Sequence, residues 1–298
     1  MKQTVFKGCG TALITPFTPD GKHVDKNGFQ RFLEFQIKNG ADALIVAGTT
    51  GEAPTLTADE KREIFALAVT EAGGKIPVIA GTGSNNTEEA VRKANAAEKE
   101  GVDGLLIVTP YYNKCTQTGL IEHYYYIADR VSTPIIVYDV PSRTGVSVTP
   151  ETYRALAEHK NIVAVKEADT DITKFIKALS LCKGDLDFYS GNDDLTGTMM
   201  SLGAKGVISV ASNIIPLEMH RMCELFLNGE NVRGAEMNIR LSELMNLLFC
   251  EVNPIPIKAA VSMLREQELS PAVRLPLTGI TAKNRQRIKD EMTRLGII

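Results

Sequence analysis

Eight short apolar runs recur along this chain at intervals of roughly 25–35 residues, the size of one strand plus its helix. They are Thr11–Phe17, Ala43–Ala47, Ile76–Ala80, Gly104–Val108, Pro134–Val140, Ile162–Val165, Leu186–Tyr189 and Gly206–Val210. All but LDFY at Leu186–Tyr189, which is placed by spacing, are apolar enough to be buried on both faces, as strands of a parallel sheet must be.

The stretches between these runs carry helix-start signals. Thr57 with Glu60 three residues later forms a capping-box pattern, Asn86 or Thr87 opens TEEAVRKANAAEKE before Gly101, Thr149 precedes Pro150, and Thr170 or Asp171 opens DITKFIKALSLC. Regular βα alternation predicts α/β architecture with an all-parallel sheet. A doubly wound open sheet would carry a GxGxxG turn after its first strand, whereas here Thr15, Pro16 and Phe17 follow. A (β/α)8 TIM barrel fits better. After Gly229 the pattern reads as helices only, over Asn231–Cys250, Ile255–Glu266 and Ala282–Leu295, so the expected organisation is a barrel over 1–229 and a C-terminal helical extension over 230–298.

Bulk properties narrow the function. The net charge of −3 leaves no electrostatic footprint for nucleic acid or an anionic membrane. Five scattered cysteines, with no CxxC pair, argue against a disulfide framework or a zinc site, and His23, His123, His159 and His220 show no ligand spacing. No catalytic metal is expected. The first residues lack a signal-peptide apolar core and no run approaches the ~20 residues that span a bilayer, so a cytoplasmic protein is expected.

In a barrel of this type the chemistry sits at the C-terminal strand ends, so the polar residues that end the apolar runs are the candidates. Lys166 follows IVAV directly, and lysines are almost never buried unpaired. It is either an ion-paired structural residue or an amine made nucleophilic by desolvation and able to form an imine with a ketone; position alone leaves both open. Tyr138 ends the preceding strand and is either a satisfied core tyrosine or a proton shuttle beside Lys166. Gly48-Thr49-Thr50-Gly51-Glu52 combines tight-turning glycines with hydroxyls and backbone N–H groups that can hold a small carboxylate. Gly81-Thr82-Gly83 is a less specific version. Arg143, in PSRTG, can grip a carboxylate with two parallel hydrogen bonds. Gly191, in SGND, and the residues around Ile208 can complete a pocket with backbone groups.

GTTGE, VTPYYNK, YDVPSRTG, VAVKEA and SGND, in this order and each at an expected strand end, resemble the dihydrodipicolinate synthase family from Gly8 to about Ser212. The resemblance implies condensation of pyruvate with L-aspartate 4-semialdehyde, with no metal or organic cofactor. It implies Lys166 as the imine-forming residue, Tyr138 as proton carrier, and Thr49 as its link to Tyr112 of a neighbouring subunit. Thr50 and the main chain at Ile208 would hold the pyruvate carboxylate, and Arg143 that of the semialdehyde. A homotetramer built as a dimer of dimers is implied, because Tyr112 must cross an interface, a need that a stable dimer would meet too.

Two departures stand out. Asp139 follows Tyr138 where the family more often has Asn, although its side chain should alternate to the other face. The family's lysine-effector positions correspond to Ala53, Pro54, Ala58, Lys61, Asn85, Glu89 and Tyr111, and Lys61 stands where lysine-sensitive members tend to have His or Glu. The competing readings are a sugar-acid aldolase such as N-acetylneuraminate lyase, against which Arg143 argues, and a non-catalytic pyruvate-binding barrel. A cation at Lys61 opposes the ammonium group of an effector lysine. Sub-millimolar lysine is therefore expected to leave the steady-state rate nearly unchanged, and strong inhibition in that range would overturn this reading.

Overall fold

The computed structural model describes residues 2–298. Eight parallel strands, β1 (Gly8–Ala12), β2 (Ala43–Val46), β3 (Val78–Gly81), β4 (Gly104–Val108), β5 (Ile135–Asp139), β6 (Ile162–Glu167), β7 (Asp187–Ser190) and β8 (Gly206–Ser209), pair in sequence order and close into a barrel. Around and after them run α1 (Lys26–Lys38), α2 (Ala58–Ala72), α3 (Thr87–Lys99), α4 (Gln117–Ala128), α5 (Pro141–Thr144), α6 (Pro150–Leu156), α7 (Ile172–Cys182), α8 (Thr196–Ser201), α9 (Pro216–Leu227), α10 (Asn231–Leu247), α11 (Ile255–Val261) and α12 (Ala282–Arg294).

Period-2 alternation divides the apolar residues into two cores. Ile45, Leu106, Ile136, Tyr138, Ala164 and Ile208 pack inside the barrel, while Leu44, Leu105, Val137, Val165 and Val207 face the helices. This double burial is why the strands read as continuous apolar runs. Phe6 stacks on Tyr189 with ring centroids 4.2 Å apart, and the Tyr189 hydroxyl donates to the Phe6 carbonyl at 2.6 Å. The helix starts follow the sequence signals: Thr57 and Glu60 cap each other reciprocally, and Asn86, Thr149 and Asp171 accept from the first turns of α3, α6 and α7.

Two expectations are corrected. The first strand is Gly8–Ala12, not Thr11–Phe17. Its glycines are weak strand formers, but they leave room for close neighbours: a Cβ on Gly10 would lie 2.6 Å from Ile45 Cδ1, and across the ladder a Cβ on Gly206 of β8 would lie 1.8 Å from the Gly8 carbonyl oxygen. The tail is also not helical throughout. α11 stops at Val261, short of Glu266, and residues 262–281 run without helix, interrupted by Pro271 and Pro276.

That irregular segment is anchored. Arg274 donates to the carbonyls of Gly21, Lys22 and Thr55 and to both carboxylate oxygens of Glu60, and its backbone N–H donates to Glu52 Oε2 at 3.0 Å. Lys258, fully buried in α11, forms an ion pair with Glu52, donates to the Ala272 carbonyl at 2.8 Å and lies 3.8 Å from the Phe17 ring centroid. Burial lowers the Lys258 ammonium to about 8, against the opposing pull of Glu52. The C-terminal helices are thereby tied to the loop that follows β2. Glu52→Ala would leave a buried ammonium without its partner, at a cost of about 3–5 kcal/mol. Urea unfolding is expected to show this loss and to show much of it recovered in Glu52→Leu combined with Lys258→Met; a single variant as stable as the parent would contradict it.

Candidate active site

The strand register assembles the centre of the site. Tyr138 of β5 and Lys166 of β6 are direct neighbours across the ladder, and both point into the barrel. The Lys166 Nζ lies 4.3 Å from the Tyr138 ring centroid. Both side chains are buried, with Lys166 only 5% exposed. Lys166 forms no ion pair and no hydrogen bond to protein among the described residues. Lys258 is the informative contrast: it too interrupts an apolar run, yet every aspect of its surroundings is that of a structural ion pair. Of these two buried lysines, one is matched by a carboxylate and the other is presented to the barrel mouth.

The loop after β2 is built from tight turns. Glu52 N–H donates to the Thr49 carbonyl at 3.1 Å and the Thr15 hydroxyl to the Gly51 carbonyl at 2.7 Å, while Glu52 itself lies in the left-handed region at φ 55°. Gly81 is required next to it, since a Cβ there would approach the Ala47 carbonyl oxygen to 2.2 Å. Thr50 is buried, and its hydroxyl accepts from Asn253 Nδ2 at 3.0 Å. The same residue's carbonyl accepts from Arg143 Nη2 at 3.3 Å. Asn253 therefore joins two of the expected carboxylate-binding residues.

A cavity of about 650 Å³ opens at the ends of β2–β5. Thr49, Tyr138 and Arg143 line one part; Ala53, Pro54, Ala58, Lys61, Glu89 and Tyr111 line another, so six of the seven effector-position residues share a continuous space with the catalytic candidates. Asn85 does not line it but donates to the Tyr111 carbonyl at 3.2 Å. Burial and the nearby Lys93 lower the Lys61 ammonium to about 8. Lys166, Thr50, Ile208 and Gly191 lie outside this lining. Ile208 is buried inside the barrel, and the Gly191 N–H is already committed to the Glu167 carbonyl at 2.7 Å. Tyr112 is 90% exposed, with φ 72°, and does not reach the cavity of its own chain.

Several buried polar atoms at the strand ends have no protein partner: Thr82 Oγ1, Thr109 Oγ1, Asn192 Nδ2, Asp193 Oδ1 and Asn253 Oδ1. Unpaired buried polar groups are costly and collect where a ligand or water completes them. Asp193 is held by the N–H groups of Val210 and Ala211, and burial raises its carboxyl against the attraction of Lys166. Sequence reasoning singled out neither Asp193 nor Asn253. Asp193 lay in a noted motif, SGND. Asn253 lies in Asn-Pro-Ile-Pro, a proline-broken stretch inside an otherwise helical tail, and that interruption was the available signal.

A closed (β/α)8 barrel that places an unpaired lysine beside a tyrosine at its mouth has the architecture of a Schiff-base aldolase. The chain belongs to the dihydrodipicolinate synthetase family, whose model matches residues 5–295. It is 47% identical over 296 residues to the 4-hydroxy-tetrahydrodipicolinate synthase of Alkaliphilus oremlandii, covering 99% of this chain and 100% of that one. Among solved structures it is similar to the dihydrodipicolinate synthase of Thermotoga maritima, with a TM-score of 0.96 at 41% identity over 99% of this chain and 100% of that one. The enzyme of Cyanidioschyzon merolae, solved with lysine bound, matches with a TM-score of 0.95 at 41% identity over 99% and 100% of the two chains.

Removing the Asn253 side chain would strip Thr50 of its donor. Asn253→Ala is expected to raise the KM for pyruvate about fivefold, the equivalent of one hydrogen bond worth about 1 kcal/mol. An unchanged KM in steady-state kinetics would show that Thr50 needs no such support.

Proposed function

We infer that this chain catalyses the reaction its relatives are named for, the Schiff-base condensation of pyruvate with L-aspartate 4-semialdehyde on the route to diaminopimelate and lysine. The observation that carries the assignment of roles is the juxtaposition of Lys166 and Tyr138 at the mouth of a barrel whose cavity wall carries Arg143. Lys166 Nζ attacks the pyruvate ketone and water leaves, forming an imine. The imine acidifies the methyl group, and the resulting enamine attacks the aldehyde carbon. Tyr138 takes and returns the protons of these steps. Attack by the semialdehyde's amino group on the imine carbon then closes the ring and frees Lys166.

Thr49 links Tyr138 to Tyr112 of a neighbouring subunit. The outward stance of Tyr112 supports that arrangement, as does the exposure of Ile176 and Leu202, apolar residues available to further contacts between copies. The proposed assembly is a homotetramer, a dimer of dimers. Thr50 and the Ile208 main chain bind the pyruvate carboxylate, Gly191 lines the substrate site with its N–H engaged by the Glu167 carbonyl, and Arg143 grips the semialdehyde carboxylate. Lys61, half-buried beside Lys93 in the effector-position part of the cavity, supports weak or absent inhibition by lysine. No helix among the described residues is long and apolar enough to cross a membrane, and the proposed location is the cytoplasm.

Borohydride added with pyruvate is expected to fix a covalent adduct that peptide mapping places on Lys166, and the trapped species should disappear in Lys166→Ala. Arg143→Ala should raise the KM for the semialdehyde tenfold or more while leaving imine trapping intact, since a charge-assisted hydrogen bond contributes about 1.5–3 kcal/mol. An adduct without turnover of the semialdehyde would redirect the assignment to a sugar-acid aldolase or a pyruvate-binding barrel.

A further inference from the structure

Behind Tyr138 and Lys166, on the helix-facing side of the same two strands, lies a second group of ionisable residues. The register that pairs Tyr138 with Lys166 also pairs Asp139 with Glu167. These carboxyl groups project outward, side by side, and both are buried to 1% exposure or less. Tyr153 of α6 and Lys174 of α7 cover them, and Asp169 and Ser147 close the rim. Tyr124 of α4 also faces Asp139, with its hydroxyl donated to the Ile107 carbonyl at 2.9 Å.

The hydrogen-bond geometry sets a proton count. The Lys174 ammonium spends its three protons on Asp139 Oδ2 at 2.8 Å, Ser147 Oγ at 2.9 Å and Asp169 Oδ2 at 3.1 Å. Glu167 Oε2 is left 3.4 Å away. The Tyr153 hydroxyl lies 3.0 Å from Asp139 Oδ2 and 2.8 Å from Glu167 Oε2. A phenol has one proton to donate. With both carboxyls ionised, one of these contacts would set two acceptor oxygens against each other in a buried space. With one carboxyl protonated, both contacts become hydrogen bonds.

We propose that Asp139 and Glu167 share a single proton held on Glu167, in the chain Glu167 Oε2–H to Tyr153 Oη–H to the Asp139 carboxylate, and that this cluster positions Tyr138 and Lys166 from behind. Asp139 is the ionised member because its Oδ2 also accepts from the Val148 N–H and from Lys174. Glu167 is the protonated member because the ammonium is farther from it. Burial, and then the neighbouring Asp139, raise Glu167 to about 7; burial raises Asp139 against Lys174, while these two carboxylates hold Lys174 above its ordinary value despite its own burial. The role of Asp139 is thus particular: an Asn there would leave Glu167 as the natural counter-ion of Lys174.

The positioning role rests on the aldolase reading; the proton count does not. The test is infrared difference spectroscopy of the intact protein, combined with the pH profile of borohydride trapping with pyruvate. Wild type minus Glu167→Gln at pH 6 should show the carbonyl stretch of one protonated carboxyl, fading as the pH rises through about 7. Asp139→Asn should lose the same band. The trapping rate at Lys166 should carry an inflection near that pH in the wild type and lack it in both variants. Thermal melting gives a further readout. A carboxyl whose folded pKa lies above its unfolded one supports the fold at acid pH and loses that contribution as the pH rises through about 7, so the wild type should lose stability relative to Glu167→Gln over that range. Absence of the band in the wild type, or its persistence in Asp139→Asn, overturns the shared proton. Superimposable trapping profiles in wild type and variants overturn the positioning role. A wild type that forms no adduct at any pH defeats the aldolase reading, while the infrared arm still decides the proton count.

Discussion

The site depends above all on the register in which β5 pairs with β6. Because side chains alternate along a strand, one alignment sends Tyr138 and Lys166 into the barrel and, one residue later, Asp139 and Glu167 out toward the helices. A slip of β6 by one residue against β5 would turn Lys166 out toward the helices and bring Glu167 into the barrel beside Tyr138. The inner pair would lose its lysine, and a carboxyl group would take its place. The apolar alternation of Ile136, Val137, Ala164 and Val165 opposes that slip, so packing of the two cores and placement of the reactive groups are a single constraint.

Charge is distributed around this register in a consistent way. Lys258 is buried, and Lys174 partly buried, against carboxylates with further hydrogen-bond acceptors at hand, which is how buried charge is ordinarily tolerated. Lys166 is the buried lysine denied such a partner and given an aromatic ring instead. An unsatisfied amine at the mouth of a barrel is poorly suited to stability and well suited to attack on a ketone.

The C-terminal segment is part of that arrangement. Asn253 reaches Thr50 and Arg143, and Lys258 and Arg274 converge on Glu52, the last residue of the loop that carries Thr49 and Thr50. Strand ends fix the lysine and the tyrosine; the loops that would bind carboxylates are held by residues 110 to 222 positions away in sequence. The cavity also runs without a break from Arg143 to Lys61, so the charge of Lys61 acts on the space that a second ligand would occupy.

The alternation of apolar runs and capped helices was enough to specify a parallel α/β architecture, because double burial and βα spacing are local properties of the chain; the missing GxGxxG turn favoured the closed barrel, and the pairing of β1 with β8 is what closes it. The order of polar residues at strand ends likewise marked Lys166, Tyr138, Thr49, Thr50 and Arg143, since a charged or hydroxylated residue that ends an apolar run is visible without knowing its neighbours. The start of β1 was misread because Gly8 and Gly10 carry no apolar signal and become a strand only through β2 and β8. Tertiary structure alone separated Lys166 from Lys258, brought Asn253 to Thr50, and set Asp139, Glu167, Tyr153 and Lys174 in one buried cluster. Each of these is a contact between distant segments, and its sign, whether a buried charge is matched or left free, depends on which partner the fold delivers.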